Sequence, residues 1–119
     1  MTEIETIPDF ERDLNKLKKK YRSIESDVER FKTALLHTLP KQLPQTFRIP
    51  LGEEFSDDPI YKVKAFRCQS LNGCGSRSGI RVIYGYHPKK DVVTLIQIYH
   101  KKQSENHDEA RIKEYLKNS

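Results

Sequence analysis

Acidic residues are almost missing from one long segment of this chain. Residues 60–102 hold a single acid, Asp91, against nine lysines and arginines. Elsewhere the signs nearly balance: residues 1–59 have ten basic and twelve acidic side chains, and residues 103–119 have three and four. The net charge of +5 is therefore a property of one segment rather than an evenly spread solubility coat. Such segregation points to a nucleic-acid partner, an acidic protein partner, or both in turn. A membrane partner is disfavoured, because no amphipathic helix carries the excess.

Other absences narrow the class. Cysteine occurs twice, at Cys68 and Cys74, too few for a disulfide scaffold, so reduced thiols and a cytoplasmic setting are expected. The gap between the two does not fit a paired-cysteine zinc knuckle and there is no second pair, so neither a metal nor another cofactor is expected. No stretch approaches the ~18 apolar residues of a membrane-spanning helix. The opening MTEIETIPDF has no basic start and no long apolar run, and is not expected to act as a secretory signal. The glycines of NGCGSRSG (72–79) precede no GK[ST], which excludes a P-loop. His37, His87, His100 and His107 show no ligand spacing, and serine, cysteine and histidine form no triad-like pattern. There is no internal repeat or low-complexity tract. The length suits one compact domain, 1–119, with a single core.

What is present is periodic. Residues 2–7 alternate polar and apolar and predict a short strand. Pro8 and Asp9 mark a helix start, with Asp9 as N-cap candidate, and Phe10, Leu14, Leu17 and Tyr21 form one apolar stripe. A break at 22–26 follows. Ser26 and Glu29 fit a capping box for a second helix, on which Val28, Phe31, Leu35 and Leu39 repeat. The connection 40–59 holds four of the six prolines and the acids Glu53, Glu54, Asp57 and Asp58, with room for a short strand at 46–49. Three strands are then predicted: IYKVKAF, GIRVIYGY and VVTLIQIYHKK. The first two are joined by a long glycine-rich loop and the last two by a tight turn at 88–91. Asp108 can cap a closing helix with Ile112, Tyr115 and Leu116 facing inward. Helices and meander are segregated, so the predicted class is α+β: an N-terminal strand and a two-helix hairpin packed on a small antiparallel sheet, with a short C-terminal helix.

Strand alternation turns the basic segment into a candidate site. Lys62 and Lys64 share one face of their strand, and Arg81 shares a face with Ile83 on the next. If Arg81 lies beside the lysines, three cations converge on the open sheet, and Lys101, Lys102 and His107 arrive from the end of the third strand and the turn after it. Lysines also blunt edge strands and decorate solvated faces, but a set of cations with almost no acids favours a phosphate-binding surface.

The segments DFERDLNKLKKKY (9–21), YKVK (61–64), SGIRVIYGY (78–86), VVTLIQIYHKKQSE (92–105) and DEARIKEYL (108–116), in this order, resemble the RelE/ParE toxin superfamily, and specifically RelE-type mRNA endonucleases. The resemblance implies the RelE-like fold and metal-independent RNA cleavage, in which the substrate's 2′-hydroxyl attacks the adjacent phosphorus. That chemistry needs a base, cations for the phosphorane and an acid for the leaving oxygen. Carried over by position, Lys64 is the expected base, Lys62 a phosphate ligand and Arg81 the transition-state cation. Lys101 stands where the RelE type usually has an arginine, and His107 falls near the family's C-terminal tyrosine, as a candidate general acid with His100 as second choice. Arg67, Arg77, His100 and Lys102 are candidate RNA contacts. The resemblance also implies a cognate antitoxin bound as a hetero-oligomer, with mRNA and the ribosome as targets. Two other readings stay open: a ParE-like gyrase inhibitor without nuclease activity, and an inactive RNA-binding relative.

Overall fold

The computed structural model describes residues 2–39, 41–52, 57–71 and 78–118. The chain runs β1 (Glu3–Thr6), α1 (Pro8–Lys18), α2 (Ile24–Thr38), β2 (Thr46–Arg48), β3 (Ile60–Val63), β4 (Ile80–His87), β5 (Val92–His100), α3 (Glu109–Lys117). This is the expected α+β order. The five strands form one sheet in the order β1-β5-β4-β3-β2. The meander β2–β5 is antiparallel, and β1 joins β5 in parallel, which makes the sheet mixed. β1 is separated from β5 by both helices and the rest of the meander, so no hairpin forces that pair to be antiparallel.

Two helix starts differ from the sequence patterns. Ile7, in extended backbone, is the N-cap of α1, and Pro8 takes the first helical turn, where a missing N–H leaves nothing unpaired. Asp9 instead places negative charge in that turn. α2 begins before the Ser26–Glu29 pair, with Ser23 as its N-cap. The Ser23 hydroxyl donates to the buried Asp27 carboxylate at 2.6 Å, which also accepts the Gln69 amide at 3.3 Å. That carboxylate thereby ties the segment after β3 to α2. The Asp108 cap is as expected, its side chain accepting the Arg111 amide at 3.0 Å.

The sheet has an apolar layer on each face. α1 and α2 cover one with Phe10, Leu17, Ile24, Phe31 and Leu35, against Val63, Ile80, Val82, Tyr84, Val93, Leu95 and Ile98. α3 covers part of the other with Ile112 and Leu116, against Ile60, Ile83, Ile96 and Tyr99. The face expected to be open to solvent is thus half core. Arg111 holds α3 in place, donating to Asp13 on α1 at 2.6 Å and to the Ile96 carbonyl at 3.1 Å.

One irregularity sets which residues face where. β4 and β5 pair from Ile80↔His100 to Ile83↔Gln97, then continue at Tyr84↔Leu95, leaving Ile96 as an extra residue. This β-bulge reverses the alternation of β5 partway along. At the end of the same pair, Gly79 has φ +84. A Cβ there would lie 2.8 Å from His100 Nε2, so both backbone and space demand glycine. Replacing Gly79 by Ala is expected to destabilise the fold by about 1–3 kcal/mol, measured by denaturant unfolding.

Candidate nucleic-acid interface

The register brings the predicted cations together. Lys62 pairs with Ile83 and Phe47, and Arg81 with Tyr99. Lys64 follows β3, yet its amide still donates to the Gln45 carbonyl at 3.0 Å, so it continues the ladder. Arg81 reaches back across the strands, its guanidinium donating to the Lys64 carbonyl at 3.3 Å. Among the described residues, none of Lys62, Lys64 and Arg81 forms an ion pair with an acid. Three cations therefore stand on one face with no ion-pair partner among the described residues.

Lys62 occupies the desolvated position. Partial burial first, then the charges of Lys64 and Arg81, lower its pKa from 10.5. The family resemblance implies Lys64 as the base. Lys64 is instead exposed, with its Nζ 5.1 Å from the centroid of the Phe47 ring. Lys62 lies within the sheet between β2 and β4, where neighbouring side chains displace water.

His107 joins this set through a contact that the sequence did not reveal. Gln97 pairs with Ile83, in the same row as Lys62. Its side-chain oxygen accepts the Asp108 amide at 2.7 Å, which draws the turn before α3 over that row. His107 is half-buried, and its Nδ1 is enclosed without a hydrogen-bond partner. Burial, then the charge of Lys62, lower its pKa, while Glu109 and Asp108 oppose the shift. The site is thus not entirely free of acids: two stand at the start of α3.

His100 does not join the site, which corrects its assignment as an RNA contact and alternative acid. The bulge turns it to the helical face. There it is buried and stacks on Tyr21, with ring centroids 5.9 Å apart. Its Nδ1 accepts the Lys102 amide at 3.0 Å, which leaves Nε2–H to donate to the Ser78 carbonyl at 3.1 Å. Burial, the largest cause, lowers its pKa. A ring satisfied at both nitrogens is a brace for the strand end.

Lys101 and Lys102 are exposed on the turn after β5. The Lys101 amide donates to the Gly79 carbonyl, two residues from Arg81, so this pair lies at the sheet's end rather than beside Lys62. Arg67 is exposed beyond β3 and lines a cavity of about 380 Å³ against α2, away from the cation set. Arg77 and Cys74 lie outside the described residues. Among the described residues, no three His, Cys, Asp or Glu side chains group closely enough to hold a metal ion. No helix among them is long and apolar enough to cross a membrane. A cavity of about 460 Å³ between β1 and α3 has a lining of mixed charge, with Glu5, Asp9 and Glu114 beside His87, Lys90 and Arg111.

Two aromatic residues stand near the cations. Tyr99, the β5 partner of Arg81, is buried beside the guanidinium, and burial raises its hydroxyl pKa. Phe47 is 53% exposed on the Lys62 face. The only signal for it was an aromatic residue on a short, otherwise polar strand.

No family model matches the sequence, and no curated relative matches it significantly. The structure, however, is similar to that of the archaeal RelE–RelB complex from Pyrococcus horikoshii, with a TM-score of 0.56 at 13% identity over 87% of this chain and 98% of the other. The chain has the RelE-like fold. It is also similar to a conserved hypothetical protein of Helicobacter pylori, with a TM-score of 0.54 at 17% identity over 87% of this chain and 98% of that one. A metal-bound toxin from the same organism gives 0.53 at 16% identity over 87% and 99%. Within the RelE-like fold of this chain, the cation row occupies the part of the sheet that α3 leaves open.

Two outcomes follow from the electrostatics. The Lys62 ammonium should titrate below 10.5 by NMR of its Cε, and the midpoint should rise in Lys64→Ala and in Arg81→Ala, since each removes a repelling charge. His100 and His107 have folded pKa values below the usual 6.5, so the unfolded chain binds protons first on acidification. Their contribution to stability is complete above pH 6.5 and is lost as pH falls through the two lowered values. Chemical denaturation from pH 7 to 5 should show this loss, reduced in a His107→Gln variant.

Proposed function

We propose that this protein is a RelE-type endoribonuclease, the toxin of a toxin–antitoxin pair, that cuts mRNA at the ribosome in the cytoplasm. The observation that supports this most is the convergence of Lys62, Lys64 and Arg81, without an ion pair among the described residues, on one sheet face with His107 beside Lys62. In this reading the nucleophile is the substrate's own 2′-hydroxyl, which also explains a preference for RNA over DNA. As the 2′-oxygen bonds to phosphorus, neutral Lys62 takes its proton. Arg81 and Lys64 hold the charge that develops on the phosphorane oxygens. The bond from phosphorus to the 5′-oxygen breaks, and His107 supplies the proton to that oxygen. The products are a 2′,3′-cyclic phosphate and a 5′-hydroxyl.

The base role passes from Lys64 to Lys62 because Lys62 is the desolvated lysine. Lys62 and His107 then work as a coupled pair. While Lys62 is charged it disfavours a proton on His107. Once Lys62 is neutral, that repulsion disappears, and the phosphate anion further favours the imidazolium. The reaction requires the form in which Lys62 is neutral and His107 carries the proton. The fold match to a chain from a RelE–RelB complex supports a protein antitoxin as partner.

Incubating the purified chain with translating ribosomes and mapping transcript 3′ ends tests this reading. Cyclic-phosphate ends are expected, with single-turnover rates reduced about 10²–10⁴-fold in Lys62→Ala and in His107→Ala, and about 10²–10³-fold in Arg81→Ala. Intact mRNA would refute the nuclease reading. Intact mRNA together with inhibited supercoiling by gyrase would replace it with the ParE-like one.

A further inference from the structure

Phe47 is an exposed aromatic with no structural task of its own. It lies on the edge strand β2, directly opposite Lys62 and on the same face. Over half its surface is open, whereas the other phenyl and phenol rings of the sheet, Tyr61, Tyr84, Tyr86 and Tyr99, are buried or half-buried. Lys64 Nζ is 5.1 Å from its ring centroid. An exposed cation–π contact contributes only about 0.5–1 kcal/mol, so this pairing is readily exchanged for another. The ring stands one strand from Lys62 and two from Arg81, that is ~5 and ~10 Å across the sheet. A nucleotide whose phosphate meets the cations can place its base at that distance.

We propose that Phe47 is a stacking platform for the base of a nucleotide next to the phosphate held by Lys62, Lys64 and Arg81. In the free protein the Lys64 ammonium rests on the ring. When single-stranded RNA binds, the ammonium moves to a phosphate oxygen and the base takes its place on the ring. Aromatic faces beside cationic grooves hold single strands in this way, because every base has a π-face. Phosphate contacts alone locate a backbone; a stacked base adds register to it. The proposal rests on the reading of this face as an RNA site.

The chain has no tryptophan, so Phe47→Trp installs a single fluorophore at the proposed platform. The probes are a short, fully 2′-O-methylated oligonucleotide, which cannot be cleaved by 2′-attack, and an abasic oligonucleotide of equal length. Saturable quenching by the first and little by the second is expected. Phe47→Ala, whose exposed position leaves the core intact, should bind the oligonucleotide roughly 5- to 150-fold more weakly, while Phe47→Tyr binds like wild type. The slope of log affinity against log salt should stay the same in Phe47→Ala, since no phosphate contact is removed. Equal quenching by the abasic probe, wild-type affinity in Phe47→Ala, or a shallower salt slope would overturn the proposal. The last result would mean that the ring merely positions Lys64. These readouts need no cleavage. Base-dependent quenching without cleavage would refute only the enzyme reading, and cleavage with unaltered binding in Phe47→Ala would refute only the stacking.

Discussion

β5 carries one residue more than β4 across their shared ladder, and the placement of the functional side chains depends on that surplus. Before Ile96, β5 sends Val93 and Leu95 toward α1 and α2; after it, Ile98 and His100 take that direction. The same shift leaves Gln97 and Tyr99 on the α3 face, opposite Ile83 and Arg81. An unbroken alternation would keep Ile98 with Ile96 on the α3 face and would turn Gln97 and Tyr99 toward α1 and α2. The bulge lets one strand complete two cores, and the site is assembled on the part of the second that remains open.

That opening is held against an electrostatic tendency to disperse. Lys62, Lys64 and Arg81 repel one another, and burial of Lys62 makes its charge still less favourable. The sheet ladder, the Arg81 bond to the Lys64 carbonyl and the Gln97 bond that draws in His107 hold the set together. In the proposed reading, a phosphate binding there would relieve the repulsion. Local rigidity is supplied from the opposite face. His100, braced between Ser78 and Lys102, and Gly79 beside it fix the strand ends from which Arg81 and Lys101 project.

Much of the architecture was legible because it rests on local patterns. The apolar stripes of α1, α2 and α3 and the alternation of β3 and β4 are periodic, and Asp108 caps its helix as its residue type suggests. The helix starts were less legible, since serine and acidic residues near a terminus have several uses: Ser23 and Asp27 serve a long-range tether, and Asp9 serves the helix dipole. Lys62, Lys64 and Arg81 were readable as a set because alternation and antiparallel pairing require only neighbouring strands. Phe47 was not, because its strand is short and its significance comes from a lysine seventeen positions away, diagonally across a ladder.

From its own order of residues, the chain determined a charge-segregated α+β domain whose cations lie on a sheet rather than a helix. Local periodicity is enough for that. Tertiary structure alone decided which lysine is desolvated, which histidine faces the cations and which braces the fold. The first depends on the place of Lys62 between β2 and β4, the other two on a one-residue bulge and on the bond from the Asp108 amide to the Gln97 side chain. A bulge has no signature in an alternating apolar run, because shifting the register by one exchanges the two faces while leaving every residue type in place.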